Sequence, residues 1–321
     1  MSTLIKILKR IYRKLLAFLI NIADSIYPPG FEGASLFEIG ELFFAYVGKQ
    51  RFNLFAGALS FNFFLALFPS IIFLFTLIAY FPIHDIQGKV LGMMDDFLPD
   101  ATFKTIQETV ADILSIQRTG LLSVGFLTAV YFASNGFHNL MKAFESSMEE
   151  DIRKKRNFFK KRLRSIGMTF IIAMLLVIAI IVKLGSVYIS SLIADLGVNQ
   201  LILNLSLSIF EVLILATLVF FIISFIYYIG HSSIEKWKFF SPGSIVATVL
   251  SLAMTYIFSF YVNHFNAYNK VYGSIGAIIT LMLVIYVNVY SILIGYELNH
   301  SINKVSIKKM REAKKMNKIK L

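Results

Sequence analysis

Six long apolar stretches alternate with polar segments along the chain: Leu54–Phe81, Leu121–Phe144, Ile166–Ser190, Leu201–Ile229, Gly243–Asn263 and Ser274–Asn299. A helix rising about 1.5 Å per residue needs roughly 20 such residues to cross a hydrocarbon core about 30 Å thick. The pattern predicts an all-α polytopic membrane protein with six transmembrane helices. Interfacial amphipathic helices should precede them, and a short helical loop should cover the external face. In domain terms, residues 1–50 form the interfacial helices, 51–302 the six-helix unit (with the external loop at 82–120) and 303–321 a basic cytoplasmic tail.

The first residues show a different periodicity. At about 100° per residue, Lys6, Lys9, Arg10, Arg13 and Lys14 fall on one arc and Leu4, Ile5, Leu8, Ile11, Leu15 and Phe18 on the other. That segregation predicts a helix lying in the headgroup plane rather than a cleaved signal peptide, whose apolar core would be unbroken. Pro28-Pro29-Gly30 ends it, and a second short helix over about Leu36–Val47 leads into the first span. In the external loop, Ile86, Val90, Met94 and Phe97, then Phe103, Ile106, Val110 and Ile113, recur at helical spacing on either side of Pro99. Two short amphipathic helices are expected there, as a cap on the spans or a gate over an opening.

Charge fixes how such a chain threads the bilayer. Of the 31 Lys and Arg residues, 26 fall on the side of residues 1–53, the loops after spans 2 and 4, and the tail; four fall opposite, and Lys183 lies inside span 3. By the positive-inside rule both termini are cytoplasmic. The chain is 57% hydrophobic with a mean hydropathy of +0.71, and 16% charged against about 25% in soluble domains. The net charge of +12 therefore serves topology and anionic lipid rather than nucleic acid. The expected anionic-lipid contacts are Lys6, Lys9, Arg10, Arg13 and Lys14, with the juxtamembrane run Arg153, Lys154, Lys155 and Arg156.

Few residues within the spans could carry chemistry. Pro69 in span 1 removes a backbone hydrogen bond and kinks the helix, either as an interruption of the kind found at transporter substrate sites or merely as a kink. Lys183 in span 3 and Glu211 in span 4 lie at similar depth, roughly 12 Å from the external end at about 1.5 Å per residue; they form a candidate ion pair, or else Lys183 snorkels to the external surface and Glu211 meets a local hydroxyl. Glu297 lies near the cytoplasmic end of span 6, as a cation or proton site or as an interfacial carboxylate paired with a basic loop residue. Tyr272, Gly273, Ser274 and Gly276 form a tight turn and a small-residue helix start, suited to close packing or to facing an anionic group.

Local motifs for catalysis are absent. The chain has no cysteine, and its five histidines show no metal-ligand spacing with a carboxylate. No Walker A string, dinucleotide fingerprint or nucleophile elbow occurs. The sequence thus predicts no enzyme, no metal and no cofactor.

Tyr261 through Asn299 reads Y-V-N-H-F-N-A-Y-N-K-V-Y-G-S-I-G-A, an apolar span, then G-Y-E-L-N. This resembles the YihY/virulence factor BrkB family of bacterial inner-membrane proteins. Ala58, Phe61 and Pro69 in span 1, Ser134-Asn135-Gly136-Phe137 in span 2, and Pro242 and Gly243 fit the same pattern, over roughly residues 45–302. Val284 and Ile285 replace a common aromatic, and Tyr296 stands where a small residue is usual, so packing around span 6 should differ. The resemblance implies six spans and a cytoplasmic-membrane location. Members once carried a ribonuclease BN label, for which this chain offers no nuclease site.

The expected function is a transporter or lipid-translocating protein working without ATP, with membrane lipids, particularly anionic ones, as partners and a lipid or small molecule as substrate. The alternative is a non-transporting envelope scaffold; a membrane-associated ribonuclease is the remote third. No nucleic-acid partner is expected.

Overall fold

The computed structural model describes residues 17–18, 20–49, 52–80, 86–97, 100–148, 157–194, 200–232, 237–264 and 274–319. Among them all regular structure is helical: a short stretch at residues 20–25, then α1 (Leu36–Lys49), α2 (Phe52–Ile78), α3 (Ile86–Phe97), α4 (Asp100–Ser115), α5 (Thr119–Ser146), α6 (Phe158–Ala194), α7 (Gln200–Gly230), α8 (Pro242–His264) and α9 (Ser274–Ile319). α2, α5, α6, α7 and α9 are long and apolar enough to cross a membrane. The sixth span is α8, whose apolar part runs Pro242–Phe258 and whose 23 residues reach about 35 Å. The lysines and arginines of residues 1–14 and 153–156 lie outside the described residues.

The six spans close into a ring. Each packs on the next, α2 on α5, α5 on α6, α6 on α7, α7 on α8 and α8 on α9, and α9 returns to α2. The main core lies at the end of the ring nearest α1, around Phe52, Leu59, Leu140, Met141, Phe144, Met168, Ile226, Tyr227, Leu293 and Tyr296. α3 and α4 pack on each other, and α4 also touches α2, confirming two short helices between the first two spans.

Local chemistry explains where the elements begin. Ser35 opens α1 with reciprocal bonds: its hydroxyl accepts the Glu38 N–H at 3.2 Å, and Glu38 Oε2 accepts the Ser35 N–H at 2.9 Å. That is the Ser-x-x-Glu arrangement that satisfies two helix-start amides at once. The chain reaches it through a sharp turn in which Gly30 and Gly33 take φ of 88° and 78°. Ser241 caps α8 in the same spirit, accepting the Ser244 N–H at 3.3 Å.

Three features depart from the sequence pattern. α2 runs unbroken through Pro69, so it is not an interrupted helix; Ser70 returns its hydroxyl to the Ala66 carbonyl at 2.7 Å, and flanking packing holds the helix together. α6 begins at Phe158, so Lys160 to Arg164 form its first turns rather than a loop. α9 is 46 residues long in all, about 69 Å or twice a bilayer core, and so continues well past the membrane segment. The basic tail is therefore helical and continuous with span 6 as far as Ile319, and it docks on α1 through Ala34, Ile39, Ile302 and Val305.

Candidate functional site

The residues that matter gather where α5, α7, α8 and α9 meet at the α1 end. α8 and α9 approach closely because both are glycine at the crossing. A Cβ on Gly243 would stand 2.0 Å from the Gly295 carbonyl oxygen, and one on Gly295 would stand 2.4 Å from the Gly243 oxygen and 2.6 Å from the Tyr227 hydroxyl. Asn299, one turn beyond Gly295, turns its amide onto the start of α8. Its Oδ1 accepts the Gly243 N–H at 2.8 Å, and its Nδ2 donates to the Ser241 hydroxyl at 2.8 Å. A buried side chain thus satisfies a helix-start amide that water cannot reach.

Aromatic rings fill the adjoining space. His231 stacks on Trp237 (5.1 Å, 6°), Trp237 lies against Tyr296 (4.9 Å), and Tyr296 stacks flat on Phe144 (3.7 Å, 1°). Tyr227 donates its hydroxyl to the Ile292 carbonyl at 2.6 Å. Tyr296 is 1% exposed, so the bulky residue at a usually small position is the centrepiece of this packing.

Beside that column sits Glu297, 0% exposed. The Ser147 hydroxyl, just past the end of α5, lies alongside its carboxyl, yet neither carboxylate oxygen completes a hydrogen bond among the described residues. The expectation of an interfacial carboxylate paired to a basic loop residue is not met there: Glu297 is interior. Four residues on, Ser301 is also 0% exposed with its hydroxyl unpartnered among the described residues. Farther along α9, Lys304 hydrogen-bonds the Tyr46 hydroxyl and lies 4.7 Å from that ring centre.

A second carboxylate is fully engaged. Glu145 at the end of α5 accepts from Lys161 Nζ at 2.6 Å and from the Ser232 hydroxyl at 2.9 Å, tying α5 to α6 and to the end of α7. The sequence did not single out this pair. Glu145 looks like an ordinary residue past a span, and nothing local selects Lys161 from a run of bases.

The other sequence candidates scatter. Glu211 is half-buried on α7, far from Glu297 along the bundle, and the Lys183 side chain lies outside the described residues. Tyr272 and Gly273 also lie outside them; Ser274 opens α9, and Gly276 is buried. Pro69 sits mid-span in α2, away from the α1 end. An apolar groove of about 600 Å³ opens between residues 20–25, α1, α8 and α9, walled by Ala23, Leu36, Phe37, Phe44, Val246 and Leu298. No group of three His, Asp or Glu residues placed for a metal occurs among the described residues.

Comparison with known proteins gives a consistent result. The family model described as "Virulence factor BrkB" matches residues 43–319. A putative ribonuclease-like protein of Bacillus subtilis (strain 168), YfkH, is 32% identical over 248 residues, 77% of this chain and 88% of the relative. A UPF0761 membrane protein of Haemophilus influenzae (strain 86-028NP) is 23% identical over 273 residues, 84% of this chain and 97% of the relative. No solved structure matches the chain.

Proposed function

The chain belongs to the virulence factor BrkB family, and from that premise we propose that it works in the bacterial cytoplasmic membrane, both termini cytoplasmic, as a transporter of the lipid-translocating kind. The observation that carries this reading is Glu297, a carboxyl group sealed inside a ring of membrane helices without a described hydrogen-bond partner. Such a group is costly to keep in a membrane domain, and ionisable residues there mark pathways far more often than they serve packing. Packing alone would be better served by Leu or Gln. The apolar groove beside α1 supports lipid as the cargo, since it is walled by an interfacial helix and two spans and suits an acyl chain. The 26-to-4 distribution of Lys and Arg supports the orientation and an anionic headgroup as partner.

This reading makes the protein a carrier rather than an enzyme. The ribonuclease-like name belongs to the Bacillus relative; the clustered groups here are one carboxyl and hydroxyls within a membrane ring, unsuited to a polyanionic chain in water. Native mass spectrometry of the protein extracted with its own membrane lipids, beside Glu297→Gln, tests the proposal. An anionic lipid retained by the wild type and lost or exchanged in the variant supports it. Identical lipids in both, with unchanged envelope phenotype, would favour a scaffold.

A further inference from the structure

We propose that Glu297 and Ser301 form the binding site of one small monovalent cation, a proton or Na⁺; this rests on the transport reading and names its coupling ion. Glu297 and Ser301 are one turn apart on the same face of α9, each 0% exposed. Both carboxylate oxygens and the Ser301 hydroxyl lack a hydrogen-bond partner among the described residues. Three buried oxygens within a single turn with no partner among the described residues call for a shared ligand there, and a small cation supplies one. The Ser147 hydroxyl adds a fourth oxygen from across the helix contact.

The surroundings select the charge of the ligand. Ser147 stands at the C-terminal end of α5, whose exposed carbonyls carry partial negative charge. That end repels a bare carboxylate and welcomes a cation beside it. Oxygen donors alone suit a hard ion. One carboxylate supplies one negative charge, which a proton or Na⁺ neutralises, whereas a divalent ion would leave the buried site charged.

Among the described residues, the groups facing Glu297 leave it as the site's one acidic group. On α9 these are His300 and Lys304, and the Lys304 ammonium is engaged by Tyr46 of α1. On α5, Glu145 is held by Lys161 and Ser232. α2 contains no titratable residue, and those of α8 (Tyr256, Tyr261 and His264) lie in its far half.

The test uses the full-length protein in nanodiscs, wild type beside Glu297→Gln and Ser301→Ala. Thermal unfolding is followed as NaCl replaces choline chloride at constant ionic strength, and the infrared band of protonated carboxyl groups is followed across pH. If the ion is Na⁺, the wild type shows a saturable rise in melting temperature that is lost in Glu297→Gln. Its midpoint then weakens about tenfold in Ser301→Ala, the loss of one ligand oxygen. If the ion is a proton, Na⁺ has no effect, but a carboxyl band titrates in the wild type, is missing from Glu297→Gln and shifts its midpoint in Ser301→Ala. Should Glu297→Gln fail to fold, Glu297→Asp with Ser301→Ala decides by the same shifts. Curves shared by the wild type and every folded variant overturn the proposal. These are binding readouts, so a confirmed site in a protein that moves no cargo would retire the transport reading alone.

Discussion

Gly243 of α8 and Gly295 of α9 meet backbone to backbone, with room for no side-chain atom between them. A methyl on Gly243 would overlap the Gly295 carbonyl oxygen at 2.0 Å, a contact that only separation of the two helices relieves. Gly243→Ala and Gly295→Ala should each cost about 3 kcal/mol or more, at the upper end of overpacking penalties. A detergent-phase melting series on a fluorescent fusion checks this. Melting temperatures equal to wild type would mean that the crossing is looser than described.

Asn299 repeats the lesson with a polar contact. Truncation in Asn299→Ala strands the buried Gly243 N–H and should cost about 1–3 kcal/mol. Asn299→Asp keeps an acceptor at the start of α8 and loses only the donation to Ser241. It should therefore unfold between wild type and the alanine variant, and the order of the three melting temperatures is the check.

The Glu145–Lys161 pair is mostly buried, with side-chain exposures of 12% and 22%. Lys161→Met leaves an uncompensated carboxylate and should destabilise by about 2 kcal/mol, less than a fully buried pair because water still reaches the lysine. Adding Glu145→Gln to that variant should recover part of the loss. A double variant no better than Lys161→Met alone would show that the hydrogen bond to Ser232, rather than the charge pairing, is what matters.

At the other end of α9, Lys309 donates to Glu38 at 2.7 Å, and the Ser35 N–H donates to the same carboxylate. Lys309 first, then the Ser35 amide, hold the Glu38 carboxyl below its ordinary value of 4.5. A depressed value in the folded state means the contribution is complete above 4.5 and is lost as pH falls through the folded value. Both side chains are about two-fifths exposed, so screening limits the pair to about 0.5 kcal/mol. Glu38→Gln should lower the melting temperature slightly at neutral pH and converge on wild type in acid. A gap that widened in acid would reverse the assignment.

Much of the fold was legible because lipid imposes a coarse rule: apolar length reports a span. The two short helices between spans 1 and 2 were legible from periodicity, and the short helix at Leu36 was placed correctly ahead of span 1. Pro69 misled because one lost hydrogen bond does not break a helix that neighbours support. The end of α9 was hidden because past Asn299 the composition turns basic while helix propensity persists through Lys308, Lys309 and Arg311, so hydropathy marks the membrane boundary but not the helix end. Glu297 was visible as a residue type, but its burial was not. Sequence places it near a span end, where carboxylates usually meet water, and only the packing of Tyr296, Ser147 and Ser301 closes the interior around it. The Glu145–Lys161 pair depends on contacts between separate helices, which no local pattern encodes.

The measurement closest to the central claim is translocation of fluorescently labelled phosphatidylglycerol across proteoliposomes, read as the fraction of label that an external quencher cannot reach. Wild-type protein should equilibrate the label between leaflets faster than empty vesicles, and Glu297→Gln, inserted to the same level, should lose most of that rate. Equal rates for empty vesicles, wild type and variant would contradict a lipid-translocating role. A fast rate untouched by Glu297→Gln would leave translocation standing and remove Glu297 from it.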